Sequence, residues 1–189
     1  MLQRLAETSR CAPLWKRLLS YTIDYFLSTI FISIIPMIIT SILTGEKAFT
    51  SENFTSIPMN WRLLCSALAM IFAVYYFCIF PLRDGRKGQT IGKKLMGIRI
   101  VPADDDELTW SHMWRRELVG SLLIEGQTAF PSAFLQYFVF LWLPRQVSQG
   151  IGYAYIVISA ASVAYAVFGR SHRMFHDLVG ATKVVNARS

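Results

Sequence analysis

Charged residues are scarce in this chain of 189 residues. Asp, Glu, Lys and Arg make up 16% of it, whereas about a quarter is usual in soluble domains. Hydrophobic residues reach 53%, and the mean hydropathy is +0.39. A water-soluble globular domain is therefore not expected, and the question becomes whether the apolar residues form runs long enough to cross a bilayer.

Cysteine and histidine are also few, with three of each. Cys65 and Cys78 lie in one apolar run and Cys11 has no obvious partner, which supports neither a disulfide framework nor a thiolate metal site. His172 and His176 stand four residues apart, but the sequence shows no third clear ligand beside them. We therefore expect no metal, no cofactor and no enzymatic activity.

Four apolar runs are long enough to span a hydrocarbon core of about 30 Å. Residues 63–82 and 146–169 contain no charged side chain, while residues 18–44 contain only Asp24 and residues 118–144 only Glu125. We predict an all-α integral membrane protein, a bundle of four transmembrane helices forming a single domain over residues 1–189.

The basic residues indicate how such a bundle is oriented. Sixteen of the 19 lie before the first run, in residues 83–117 or in residues 170–189, and three lie in the other loops. The positive-inside rule then places both termini and the middle loop in the cytoplasm, and the loop near Phe54 outside the cell membrane. The net charge of +7 is thus explained by the membrane topology, and it favours contact with anionic lipid head groups. It does not indicate a nucleic-acid partner.

The middle loop and the tail are expected to form a small cytoplasmic cap. Residues 98–101 and 182–185 are short β-branched runs flanked by glycine, and we predict that they pair as strands. Residues 110–117 resemble an interfacial amphipathic helix, with Trp110, Met113 and Trp114 on its lipid face.

Placing a polar or charged side chain inside the bilayer costs free energy. Such residues within the runs therefore need a polar partner, water or, for an acid, a proton. At helical spacing they form two inward-facing stripes: one of Arg17, Tyr21, Asp24 and Ser28, the other of Glu125, Thr128, Ser132 and Gln136. Asp24 and Glu125 are predicted at similar depth, which suggests one shared cavity. Two interpretations remain open: interhelical packing that includes an Arg17–Asp24 pair, or a route for protons, ions or a small polar solute.

A glycine-rich basic segment precedes the first predicted strand. The candidate site residues in this cytoplasmic motif are Gly88, Gln89, Thr90, Gly92 and Lys93. It is not a nucleotide P-loop, because position 87 holds lysine where that motif needs glycine. The segment fits either a site for a lipid phosphate or a loop that makes tight turns.

Three groups of residues together resemble the RDD family of mostly bacterial multi-pass membrane proteins. These are Arg17 with Asp24, the run from Gly88 to Val101, and the run from Phe175 to Val185. The resemblance implies a name-giving triad of Arg17, Asp24 and Asp177, in which we expect the arginine to lie between the two carboxylates. It also implies that some members exchange monovalent cations for protons, while others act as accessory parts of larger assemblies.

The leading functional prediction is transport of protons, monovalent cations or another small polar solute through a polar cavity between the helices. The alternative is a non-transporting scaffold or an accessory subunit of a membrane complex. A bundle of four spans can surround a cavity with only a thin layer of protein. A second copy of the chain, in a homo-oligomer, or another membrane protein is therefore a candidate partner under either prediction.

Overall fold

A computed structural model describes residues 11–45, 51–86, 88–104, 107–126, 143–169 and 171–187 of the chain. The described elements, in chain order, are α1 (Leu14–Thr44), α2 (Ser51–Ser56), α3 (Met59–Val74), α4 (Ile91–Leu95), β1 (Ile98–Pro102), α5 (Trp110–Trp114), α6 (Arg145–Phe168), α7 (Phe175–Val179) and β2 (Thr182–Asn186). After α3 come a π-helical turn, Tyr75–Ile79, and a 3-10 turn, Phe80–Leu82. After α5 comes a π-helix, Arg115–Ile124, called the π segment below.

Three of the described helices are long and apolar enough to cross a membrane: Leu14–Thr44, Met59–Leu82 and Gln149–Phe168. They correspond to the first, second and fourth predicted spans. Each long helix begins directly after a proline (Pro13, Pro58 and Pro144), whose fixed φ and extended ψ suit the residue before a first helical turn. Apolar side chains on their outer faces are exposed, as expected for contact with lipid.

Most of the third predicted span, residues 127–142, lies outside the described residues. Thr128, Ser132 and Gln136 belong to this part. At its described end, the predicted span over residues 118–144 does not continue as a regular helix. The π segment ends at Ile124, and Gly126 adopts a left-handed backbone with φ of 56°. The Tyr155 ring occupies the space that a side chain at Gly126 would need, so glycine permits both the turn and the close approach. The total of four spans stays a prediction.

The cap contains the predicted strand pair. β1 and β2 are antiparallel, with Ile100 opposite Val184, and this confirms the pairing of residues 98–101 with 182–185. The inward faces of both strands, at Ile98, Ile100 and Val184, share a buried core with Met113 of α5 and Phe77 of the second span. This apolar core attaches the sheet directly to the end of the helices.

The helix predicted at the interface is present but is rotated from the predicted orientation. Trp110 and Trp114 are exposed by 43% and 45% and contact each other, with ring centroids 5.8 Å apart. Met113 is fully buried in the cap core. The prediction that all three share the lipid face was therefore wrong for Met113, because residues i and i+4 share a face while i+3 here turns towards the sheet.

The charge distribution and the fold together give a test of orientation. Gly88 and Phe54 are poor labelling positions, since a side chain at Gly88 would collide with the Ile100 backbone and Phe54 is buried. Asp84 and Ser56 are exposed. In a background without the natural cysteines, we expect a membrane-impermeant maleimide to label Ser56→Cys in intact cells, and Asp84→Cys only after lysis. The reverse pattern would invert the topology.

Candidate functional site

Three deeply buried carboxylates join the cap to the helices, and one of them is Asp177. It lies in the first turn of α7, fully buried, and accepts hydrogen bonds from a guanidinium of α1 and a guanidinium of the π segment, those of Arg17 and Arg116. The backbone N–H of Met174 donates a third bond at 3.0 Å. One carboxylate thus connects the first long helix, the π segment and the tail.

The two guanidinium groups have further acceptors. Arg17 donates to the backbone oxygen of His172 at 2.8 Å. Arg116 donates to Glu117 at 2.9 Å and to Thr182 at 3.0 Å. Because charge-assisted bonds are the strong ones, this network compensates ions that would be costly to bury alone.

Burial by itself would raise the pKa of Asp177, but the guanidinium groups of Arg116 and Arg17 hold the pKa well below its usual range. A carboxyl with a lowered folded-state pKa stabilises the fold at every pH above its unfolded value. That contribution is lost only as the pH falls towards the folded value. Asp177 is therefore a permanent anion at physiological pH and not a proton carrier.

Asp24 forms a second, separate cluster with the glycine-rich basic segment. One of its oxygens accepts from the Tyr76 hydroxyl at 2.6 Å and from the backbone N–H of Gly92 at 2.8 Å. The other accepts from the Thr90 hydroxyl at 2.5 Å and lies 3.8 Å from the ammonium of Lys93. The carboxylate thus holds α4 against α1.

Glu125 forms the third cluster, with the start of α7. It accepts from the Ser162 hydroxyl at 2.6 Å and from the backbone N–H of His176 at 2.9 Å. The imidazole Nδ1 of His176 lies 2.8 Å from Glu125, and its Nε2 lies 3.6 Å from Asp177. One imidazole therefore lies between two buried carboxylates.

Two glycines allow the backbones of these clusters to approach closely. A Cβ at Gly92 would lie 2.8 Å from the carboxyl carbon of Asp24 and would collide with the backbone oxygen of Ser20. A Cβ at Gly120, in the π segment, would lie 2.6 Å from the Cα of His176. At both glycines the nearest atoms include backbone atoms of the neighbouring segment, which cannot easily move aside. A larger residue would therefore push α4 or α7 away.

The structure corrects the predicted triad. Arg17 and Asp177 do pair, but among the described residues Arg17 and Asp24 form no ion pair, since Asp24 stands two helical turns deeper. Arg17 was predicted to lie between two carboxylates, but it is Arg116 that does so, between Asp177 and Glu117. This role of Arg116 was not predicted from the sequence. The informative signal was an arginine and a glutamate side by side at the start of the third apolar run.

The shared cavity of Asp24 and Glu125 is also corrected, because Asp24 lines the cavity described below whereas Glu125 is fully buried and does not. Each carboxylate has its own donors, and Glu125 contacts His176. His176 was considered only as a metal ligand because its partner is 51 residues away in the chain. No periodic pattern reports such a contact.

The other sequence-selected residues have structural contacts. On the first stripe, Ser28 is buried and donates to the Tyr25 backbone at 3.0 Å, and Tyr21 is half-buried and stacks on Tyr25. Gly88 accepts from the N–H of Ile100 at 2.8 Å, and Gln89 donates to the backbone of Ile98 at 2.8 Å. This supports the tight-turn interpretation for the first half of the glycine-rich segment.

A cavity of about 1050 Å³ borders these clusters, between α1, the π segment and α6. Its polar wall includes Arg17, Asp24, Lys93, Arg116, Glu117, Ser121 and His176. Along α6 it extends from Gln149 to Val167, about 27 Å at ~1.5 Å per residue. Most of the remaining lining is apolar or aromatic, contributed by residues such as Leu18, Tyr153 and Ile156.

These features define an integral membrane protein: apolar helices of membrane-spanning length, joined to a small sheet by buried ion pairs. A model of the RDD family matches residues 11–181. Since the match covers most of the chain, the chain belongs to the RDD family, as the motifs indicated. No curated protein and no solved structure matches it.

The ion-pair assignment predicts which double variants are coupled. Arg17→Gln and Asp177→Asn should each lower the free energy of unfolding by about 3–5 kcal/mol, as expected when a buried pair loses one partner. Together they should cost clearly less than the sum, whereas Arg17→Gln and Asp24→Asn should add. Unfolding of the purified variants in detergent measures this, and coupling of Arg17 to Asp24 alone would restore the original triad.

The close contact at Gly92 gives a steric prediction. Gly92→Ala should lower stability by about 1–3 kcal/mol or more, because overpacking displaces Asp24 from its donors. Gly150→Ala is the control, since a Cβ there meets nothing within 4 Å. Equal thermal stability of both variants would show that α4 does not depend on this contact.

Proposed function

We propose that this RDD protein moves protons coupled to a monovalent cation or another small polar solute across the cell membrane, with both termini in the cytoplasm. The observation that supports this most is the cavity, whose length along α6 approaches the thickness of the hydrocarbon core. Its polar wall lies at the end beside the cap, which is the cytoplasmic end in this orientation.

The group proposed to exchange the proton is the Glu125–His176 pair. His176 lines the cavity, whereas Glu125 is fully buried behind it. A proton entering from the cavity therefore meets the imidazole before the carboxylate. Asp24 and Asp177 keep the wall in place through the bonds that they accept.

The flux prediction separates the two kinds of carboxylate. Glu125→Gln should abolish proton-coupled flux in liposomes with little loss of folded yield, because the amide oxygen can still accept from Ser162 and from the His176 backbone. Asp24→Asn should lower both, since in either orientation the amide nitrogen would face an N–H donor, that of Gly92 or that of Lys93. The matched control is Glu107→Gln, an exposed acid on the cap that should keep normal flux.

Full flux in Glu125→Gln would remove that residue from the mechanism. Absence of flux of any monovalent cation in the wild-type protein under a proton gradient would favour the second candidate, a scaffold or accessory subunit. A specific observation supports that candidate: all three carboxylates accept several hydrogen bonds from distant segments, as packing determinants do.

A further inference from the structure

The ammonium group of Lys93 has hydrogen-bonding capacity that its surroundings do not use. Its side chain is 13% exposed, and its nearest acid among the described residues, Asp24, lies at 3.8 Å. Both oxygens of Asp24 already accept shorter bonds from Thr90, Tyr76 and Gly92. Since Lys93 lines the cavity, its ammonium can donate to a further acceptor there.

The other basic groups on the cavity wall differ from Lys93 in this respect. Arg17 donates to Asp177 and His172, and Arg116 donates to Asp177, Glu117 and Thr182. Lys93 is thus the group on the polar wall with the most donors to offer to a ligand.

Apolar side chains on two helices border the described part of the cavity beside Lys93. Leu18 of α1 and Ile156 of α6 both line it, and each is 67% exposed. Exposed apolar side chains on membrane-spanning helices contact lipid chains, so an acyl chain can reach the cavity between these two residues. The volume of about 1050 Å³ is at the upper end of the ~300–1,000 Å³ of small-molecule pockets, which suits a ligand with a long apolar part.

We propose that Lys93 binds the phosphate of an anionic phospholipid, whose acyl chain enters the cavity between α1 and α6. The position of Lys93 fits this ligand, because α4 packs at the level of Ser20 and Asp24, beside the membrane end of the cap. The phosphate oxygens accept from the ammonium, and the chain covers the apolar edges at Leu18 and Ile156. The Asp24 carboxylate, 3.8 Å away, holds the ammonium in place.

The site does not depend on transport. A seated acyl chain forms the apolar side wall of the cavity and leaves the opposite wall, with His176 and Glu117, facing the interior. The lipid is therefore compatible with either candidate function, and a binding measurement tests it independently of flux.

Native mass spectrometry of the purified full chain tests the proposal. With phosphatidylglycerol we expect one lipid to remain bound preferentially over phosphatidylcholine, and Lys93→Gln to weaken that binding about tenfold or more. Lys94→Gln is the matched control: it removes the same charge from the same helix, but Lys94 is exposed and outside the cavity lining. It should change binding less than twofold.

Equal loss in Lys93→Gln and Lys94→Gln would overturn the proposal in favour of diffuse attraction to basic residues. Equal binding of the two lipids would also overturn it. Thermal stabilisation by inorganic phosphate as large as that by phosphatidylglycerol would show a site for a small anion instead. If Lys93→Gln does not fold, Lys93→Arg should retain the lipid and Ile156→Trp, which fills the space between α1 and α6, should lose it, and the opposite result would contradict the proposal.

Discussion

The ion pairs of Asp177 with two buried arginines determine how the rest of the structure assembles. Arg17 begins the first span, Arg116 follows α5, and Asp177 belongs to the tail, so one carboxylate fixes three distant segments. Desolvation makes such a cluster expensive, and the cost is offset only when every donor and acceptor is in position. The cap therefore has one favourable placement on the helices.

Close backbone contacts extend that placement to the polar wall of the cavity. Gly92 brings α4 onto α1, where Asp24 accepts from its backbone, and Gly120 brings the π segment onto His176. These contacts align the imidazole with Glu125 and leave Lys93 at the edge of the same wall. Proposed proton exchange and proposed lipid binding thus both depend on the placement of the cap, although they use different groups.

Much of this arrangement could be predicted from the amino-acid sequence. Apolar runs with at most one charged residue identified three spans, because a bilayer demands length and apolarity. The β-branched runs identified the strand pair, because the register needs only two short matching segments. Arg17, Asp24 and Ser28 of the predicted inward stripe of α1 are buried, because helical spacing fixes which residues share a face, whereas Tyr21 is half-buried. Arg116, Ser162 and the role of His176 were missed, since their partners lie 37 to 61 residues away.

The sequence by itself determined that the protein belongs in a membrane, where three helices of membrane-spanning length lie, and that buried charges connect its two ends. These properties depend on local composition and periodicity. Only the tertiary structure decided which charge pairs with which: Arg17 with Asp177 and not Asp24, Arg116 as the second cation, and Glu125 with His176. Pairing follows from depth and from the direction of approach between segments, and neither is encoded in spacing along one helix.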